Sequence, residues 1–100
     1  MKYDYFLSGP ITGVADFRER FASAVSRVQA HRPGARVWNP AALPAGKSYA
    51  WYMKKCVAAL FVSRAVVCLD GYEASPGALA EIQLAGALKK PVLGKLSDCF

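Results

Sequence analysis

The run Arg64-Ala-Val-Val-Cys-Leu-Asp70 leads directly into Gly71-Tyr-Glu-Ala-Ser75-Pro-Gly-Ala-Leu-Ala-Glu81-Ile-Gln-Leu-Ala85, and this stretch decides the fold. Its first part is a continuous apolar run, the pattern of a central parallel strand. Asp70-Gly71 reads as a turn. Ser75 then suits the N-cap of a helix and Pro76 its first position. Wound at about 100° per residue, that helix places Gly77, Ala78, Leu84, Ala85 and Leu88 around Glu81, with Gln83 and Lys90 on the far side. A lone carboxylate on an apolar stripe is costly unless chemistry uses it, as enzymes use such groups as nucleophiles or acids and bases. The plain alternative is a glutamate at the margin of the stripe, reaching water through its flexible stem.

Working outward, residues 3 to 8 are aromatic and apolar and read as the first strand, followed by the loop Gly9-Pro10-Ile11-Thr12-Gly13. Asp16 with Glu19 forms the pattern of a capping box. Phe17, Phe21, Val25 and Val28 give the helix behind it a buried face, and Pro33-Gly34 ends it. Residues 35 to 39 form a short strand stopped by Pro40. Ser48 caps a second helix with Tyr52, Cys56 and Leu60 on one face. The Glu81 helix runs to about Lys90, and residues 91 to 94 are the last strand. The order β-α-β-α-β-α-β over residues 1–100 implies one α/β domain, a flavodoxin- or Rossmann-like three-layer sandwich with a parallel four-stranded sheet. Such sheets bind ligands beyond the carboxyl ends of their strands. That rule selects the loops after the four strands: Ser8 to Gly13, Asn39-Pro40, Asp70 to Ser75, and Lys95 to Asp98.

The hydrophobic fraction is 54% and the charged fraction 20%, which excludes a disordered chain. No apolar run approaches the roughly 18 residues of a membrane span. Met1-Lys-Tyr-Asp-Tyr-Phe-Leu7 is too short and too acidic for a signal peptide, so the expected location is the cytoplasm, with no membrane partner. Cys56, Cys68 and Cys99 form no metal-ligand spacing, and neither zinc, disulfide nor any other cofactor is expected. Cys56 and Cys68 read as core residues. His31 reads as a solvated helix end. The net charge of +6 comes from scattered lysines and arginines, with no dense block and no aromatic-basic interleave. A phosphorylated small molecule fits that field, and nucleic acid is not the expected partner.

Two segments carry a resemblance to a known family. Phe6-Leu-Ser-Gly-Pro-Ile-Thr-Gly13 resembles the opening strand and loop of the nucleoside 2-deoxyribosyltransferase superfamily, which includes 2'-deoxynucleoside 5'-phosphate N-hydrolases. Ser75-Pro-Gly-Ala-Leu-Ala-Glu81-Ile-Gln-Leu-Ala85 resembles its Ser-x-Gly-x-x-x-Glu-x-x-x-Ala motif. Asn39-Pro40-Ala41 and Trp51-Tyr52-Met53 are similar to a small branch of unassigned function common in phage and prophage. The resemblance implies N-glycosidic bond cleavage or transfer on a nucleoside or nucleotide, with Glu81 as the nucleophile at the anomeric carbon and Ser75 on a 5'-phosphate. It also implies a homodimer or higher homo-oligomer, since the superfamily commonly builds its site between subunits.

The residues support that chemistry separately. A carboxylate can trap an oxocarbenium-like state, and Ser75 with the amides of Gly77 and Ala78 can form an anion site at a helix start. The expected substrate-binding set is Ser8, Gly9, Pro10, Ile11, Gly13, Asn39, Tyr72, Ser75 and Gly77, with Gly9 and Gly13 allowing close approach to a sugar or phosphate. Asp70, at the pocket mouth, is the expected acid for the leaving base, or else a turn-forming residue. Tyr72 and Trp38 could stack on a base, though Trp38 reads better as core or interface. Two positions depart from the family pattern. Arg64 stands where an aspartate is usual at the start of strand three. Phe6 stands where a tyrosine orients the nucleophile, while alternation turns the adjacent Tyr5 to the other face. These departures make a non-catalytic nucleotide-binding or sequestering module the alternative.

Overall fold

The strand Tyr3–Ser8 (β1) occupies the interior of a four-stranded, all-parallel sheet in the computed structural model, which describes residues 1–100. Val37–Trp38 (β2) pairs on one side of it and Ser63–Cys68 (β3) on the other, with Val92–Lys95 (β4) outside β3. The order is β2-β1-β3-β4. The helix Phe17–His31 (α1) joins β1 to β2, Tyr49–Phe61 (α2) joins β2 to β3, and Pro76–Ala87 (α3) joins β3 to β4. Strand order reverses between β1 and β3, so right-handed crossovers put α1 on one face and α2 and α3 on the other.

Two apolar clusters follow from this division. Phe6, Val66 and Cys68 point toward α2 and α3 and pack with Ala59, Leu60 and Ala85. Leu7, Val67 and Leu69 point the other way and pack with Phe21, Ala24 and Ala41. Tyr5 lies on the α1 side with its ring 5.5 Å from that of Phe100, as alternation requires. Near the strand start the alternation slips: the N–H groups of Asp4 and Tyr5 both donate to Arg36 O, at 2.8 and 3.3 Å. Tyr3 accordingly joins the Phe6 side, 5.5 Å from Trp38.

The helix starts divide into two kinds. Ser48 and Ser75 are extended N-caps whose hydroxyls accept from Trp51 N at 3.1 Å and Ala78 N at 3.2 Å. The capping box expected at Asp16 and Glu19 does not form. Asp16 lies at φ −101°, ψ 25°, outside the extended conformation a cap needs, and makes no cap bond. The Glu81 helix stops at Ala87, earlier than its pattern suggests. Lys90 N donates to Ala85 O and Lys89 N to Gly86 O, with Lys89 at φ 58°. That is a Schellman motif with lysine where glycine is usual. Lys90 is not free on a solvent face: its Nζ donates to Phe61 O at 2.9 Å, on the last turn of α2. Residues Leu96–Cys99 form a short helical turn (α4) instead of a loop. No helix is long and apolar enough to cross a membrane.

Candidate functional site

The switch point between β1 and β3 puts Ser8 at the floor of the site. Ser8 is the last residue of β1, fully buried, and paired in register with Cys68. Two residues on from Phe6, it shares that residue's face and looks toward α3. Its hydroxyl donates to Glu81 Oε1 at 2.7 Å, and Ala78 O lies farther off at 3.5 Å. Glu81 stands in the second turn of α3, half-buried, one turn beyond the buried Ala78 and one before the buried Ala85. The carboxylate is therefore turned inward and does not reach out into bulk water.

Cys56 comes to this group from α2. Burial pushes its thiol up to about 12, and the negative charge of Glu81 beside it adds to the rise. The thiol remains protonated beside the carboxylate, a weak donor that opposes the rise of its neighbour's pKa. Burial raises the Glu81 pKa above the ordinary carboxylate value, while the Ser8 hydroxyl and the Cys56 thiol oppose the rise. Burial outweighs the donors, so the carboxylate is kept more basic than a surface glutamate. Cys56 was legible in the sequence only as a core position on the Tyr52-Cys56-Leu60 stripe. Nothing local announces which residue of another helix it will meet.

The other expected site residues have divided roles. Gly9 makes a close approach, but to protein: a Cβ there would fall 2.8 Å from Leu69 Cβ and 3.4 Å from Phe21 Cζ. Leu69 N donates to Ser8 O at 2.8 Å, which pulls the two strand ends together at this point. Pro10 lies against Gly71, whose φ of 86° forms the turn after β3. Ile11 packs on the α1 side, and Gly13 forms a left-handed turn at φ 79°. Asn39 accepts from Ala41 N at 2.9 Å as the cap of a short helical turn. Ser75 is engaged as the N-cap of α3, with Gly77 exposed behind it. Tyr72 packs against the cluster that contains Phe6, on the Glu81 side of the sheet. Trp38 joins the same cluster, with its indole Nε1 buried and without an acceptor.

Asp70 is not brought together with Glu81. It lines a shallow cavity of ≈330 Å³ on the α1 side, with Glu19, Arg20, Ser23, Leu69 and Leu96. It accepts from Ser97 Oγ at 3.1 Å. The reason is the turn: alternation would return Asp70 to the face of Cys68, but β3 ends at Cys68 and the turn at Gly71 carries Asp70 toward the α1 layer. Arg64 is also remote. It lies in the first half of β3, with its Nε 3.7 Å from Asp4 Oδ1, and the four residues from it to Cys68 span about 13 Å at the usual rise. A second cavity, of ≈710 Å³, includes Arg64, Asp4, His31 and Arg32 at the amino ends of the strands. Glu81 lines neither cavity.

The site is an inward carboxylate bonded to the Ser8 hydroxyl from β1 and flanked by the Cys56 thiol from α2, at the carboxyl end of the central strands. Such a group can act as a nucleophile or as a base. Cys56, Cys68 and Cys99 are free thiols. No curated protein and no solved structure matches the chain. One family covers nearly all of it: a domain of unknown function, DUF4406, matches residues 3–94, from β1 into β4, and the chain belongs to that family.

Proposed function

We propose that the protein cleaves or transfers the N-glycosidic bond of a nucleoside or nucleotide, with Glu81 as the nucleophile. The observation that carries this reading is the 2.7 Å bond from Ser8 to Glu81 Oε1. It supplies, from the same face of β1, the orienting hydroxyl that Phe6 lacks. A carboxylate oxygen attacks the anomeric carbon, the bond to the base breaks, and the base leaves with the electron pair and takes a proton from solvent. Water then cleaves the glycosyl ester and regenerates the carboxylate, or a second base accepts the sugar. The Ser8 hydroxyl orients the nucleophile while burial raises its basicity. The test is incubation with deoxynucleosides and their 5'-monophosphates, followed by detection of free base. Release by the native protein and not by Glu81→Gln is expected, and no release from any of them would defeat the proposal.

A second reading is a module that binds a nucleotide-like ligand without turnover. Phe6, which offers no hydroxyl to orient a nucleophile, favours it. Thermal stabilisation by a nucleotide panel without base release would select this reading.

Self-association belongs to the same proposal. Phe61 on α2 is 62% exposed, and Val57 and Leu79 are also exposed, apolar surface on α2 and α3 that a second copy would cover. Light scattering is expected to give at least twice the chain mass, and a monomer at high concentration would contradict it.

A further inference from the structure

The sequence read linearly shows no interleave of aromatic and basic side chains, but folding assembles one at the start of α2. Trp51 is the centre of it. The buried face of α2 is marked by Leu60. Trp51 precedes it by nine residues, which at about 100° per residue is half a turn round the helix. A tryptophan therefore stands on the outward side of this helix. Lys54 and Lys55 fall within the same outward arc. Lys55 Nζ lies 5.3 Å and Lys47 Nζ 5.7 Å from the Trp51 ring centroid. Tyr52 stands edge-on to the indole, at 5.3 Å. Its hydroxyl donates to Pro44 O at 2.7 Å and accepts from Lys47 N at 3.2 Å, which holds Lys47 beside Trp51. Tyr49, the first residue of the helix, is exposed.

The charges here have no internal partner. The ion pairs of the chain use Arg36, Arg64 and Lys95, and none uses Lys47, Lys54 or Lys55. From Arg20 to Leu69 the chain contains eight lysines and arginines and no carboxylate. Apolar burial alone would place the indole on the Leu60 side. The cations and rings together fit a ligand with both negative charge and flat unsaturated faces.

We infer that the start of α2 binds single-stranded nucleic acid. Bases stack on Trp51 and Tyr49, and phosphates lie against Lys47, Lys54 and Lys55. A single strand is specified because stacking needs bases free of a duplex. The patch lies toward the end of the sheet that carries Glu81, since α2 follows the carboxyl end of β2 and Cys56, beside Glu81, lies about two turns into the helix. The inference does not depend on the chemistry proposed for Glu81, which is read by base release and not by strand binding.

The test is fluorescence anisotropy of a labelled twelve-residue oligothymidylate with the native protein. Three phosphate contacts on a single strand predict about a 20-fold loss of affinity between 50 and 200 mM salt. Trp51→Ala is expected to weaken binding about tenfold, with Trp51→Tyr restoring most of it. The double change Lys54→Ala, Lys55→Ala should cut the salt dependence to about a third, and Lys2→Ala should leave it unaltered. The lysines are exposed and Trp51 is half-buried, and far-UV circular dichroism checks that each variant is folded. No binding at 50 mM salt would overturn the inference. So would equal affinity for thymidine 5'-monophosphate, for a duplex of the same length, or for polyglutamate, which would indicate respectively a small-nucleotide site, a duplex surface and an acidic protein partner.

Discussion

The hydroxyl of Ser8 lies 2.7 Å from Glu81 Oε1 and ties the last residue of β1 to the second turn of α3. It donates to a carboxylate in a setting where little water can take its place. Ser8→Ala should remove that donor and leave the charge with only the Cys56 thiol. The expected cost in stability is about 2 kcal/mol, in the range for a hydrogen bond to a charged group. Base release should fall roughly a hundredfold through misplacement of the nucleophile. A plain packing defect would not move the pH profile. Loss of this donor should shift its acidic limb upward, because Ser8 lowers the Glu81 pKa.

Glu81 itself predicts an unusual pH dependence of stability. Burial raises its folded pKa above the ordinary value. Between the unfolded and folded pKa values the native state binds more protons than the unfolded chain, so this group removes stability as pH rises through that window. Glu81→Gln cannot ionise. Its melting temperature should match that of the native protein below the ordinary carboxylate range, rise above it as pH climbs through the folded pKa, and stay above it thereafter. Thermal melts across that range check the sign, and a variant less stable at neutral pH would contradict it.

The same contact governs Cys56. A thiol raised to about 12 by burial and by Glu81 is almost wholly protonated at pH 8. Iodoacetamide should label Cys56 slowly in the native protein. Glu81→Gln removes the neighbouring negative charge and should speed the labelling, as read by mass spectrometry of the Cys56 peptide.

Gly9→Ala tests the joint between the two central strands. The added carbon would lie 2.8 Å from Leu69 Cβ, and both atoms are fixed to backbone. The expected loss is about 1–3 kcal/mol, measured by urea denaturation. Ser8 precedes Gly9 directly, so the Glu81 site should suffer with it.

Arg64→Ala should be nearly silent at Glu81. Arg64 is 65% exposed and pairs with Asp4 at 3.7 Å, a surface bridge worth under about 1 kcal/mol. Base release is expected to stay within about twofold of the native rate. A large loss would show that this arginine reaches the site after all.

Local features were legible because they depend on near neighbours in the chain. Ser48, Ser75 and Pro76 mark their helix starts, as caps and first-turn residues act within three positions. Asp16 does not cap because its backbone lies outside the extended conformation, which its residue type alone does not set. The end of α3 was hidden because Lys89 takes the left-handed position that glycine would have advertised. Asp70 reads as lying at the pocket mouth, and the turn after β3, which its residue type does not encode, carries it to the α1 side.

The alternation of strands and helices, the parallel sheet and the inward stripe on which Glu81 sits are written in the order of residues, since periodicity is a property of one element at a time. The fold alone decided that Ser8 and Cys56 meet Glu81, that Asp70 and Arg64 do not, and that Lys47 and Lys55 flank an outward Trp51. Those contacts join residues on separate elements or in a loop docked against one. Their meeting depends on strand register and on the side to which each crossover turns.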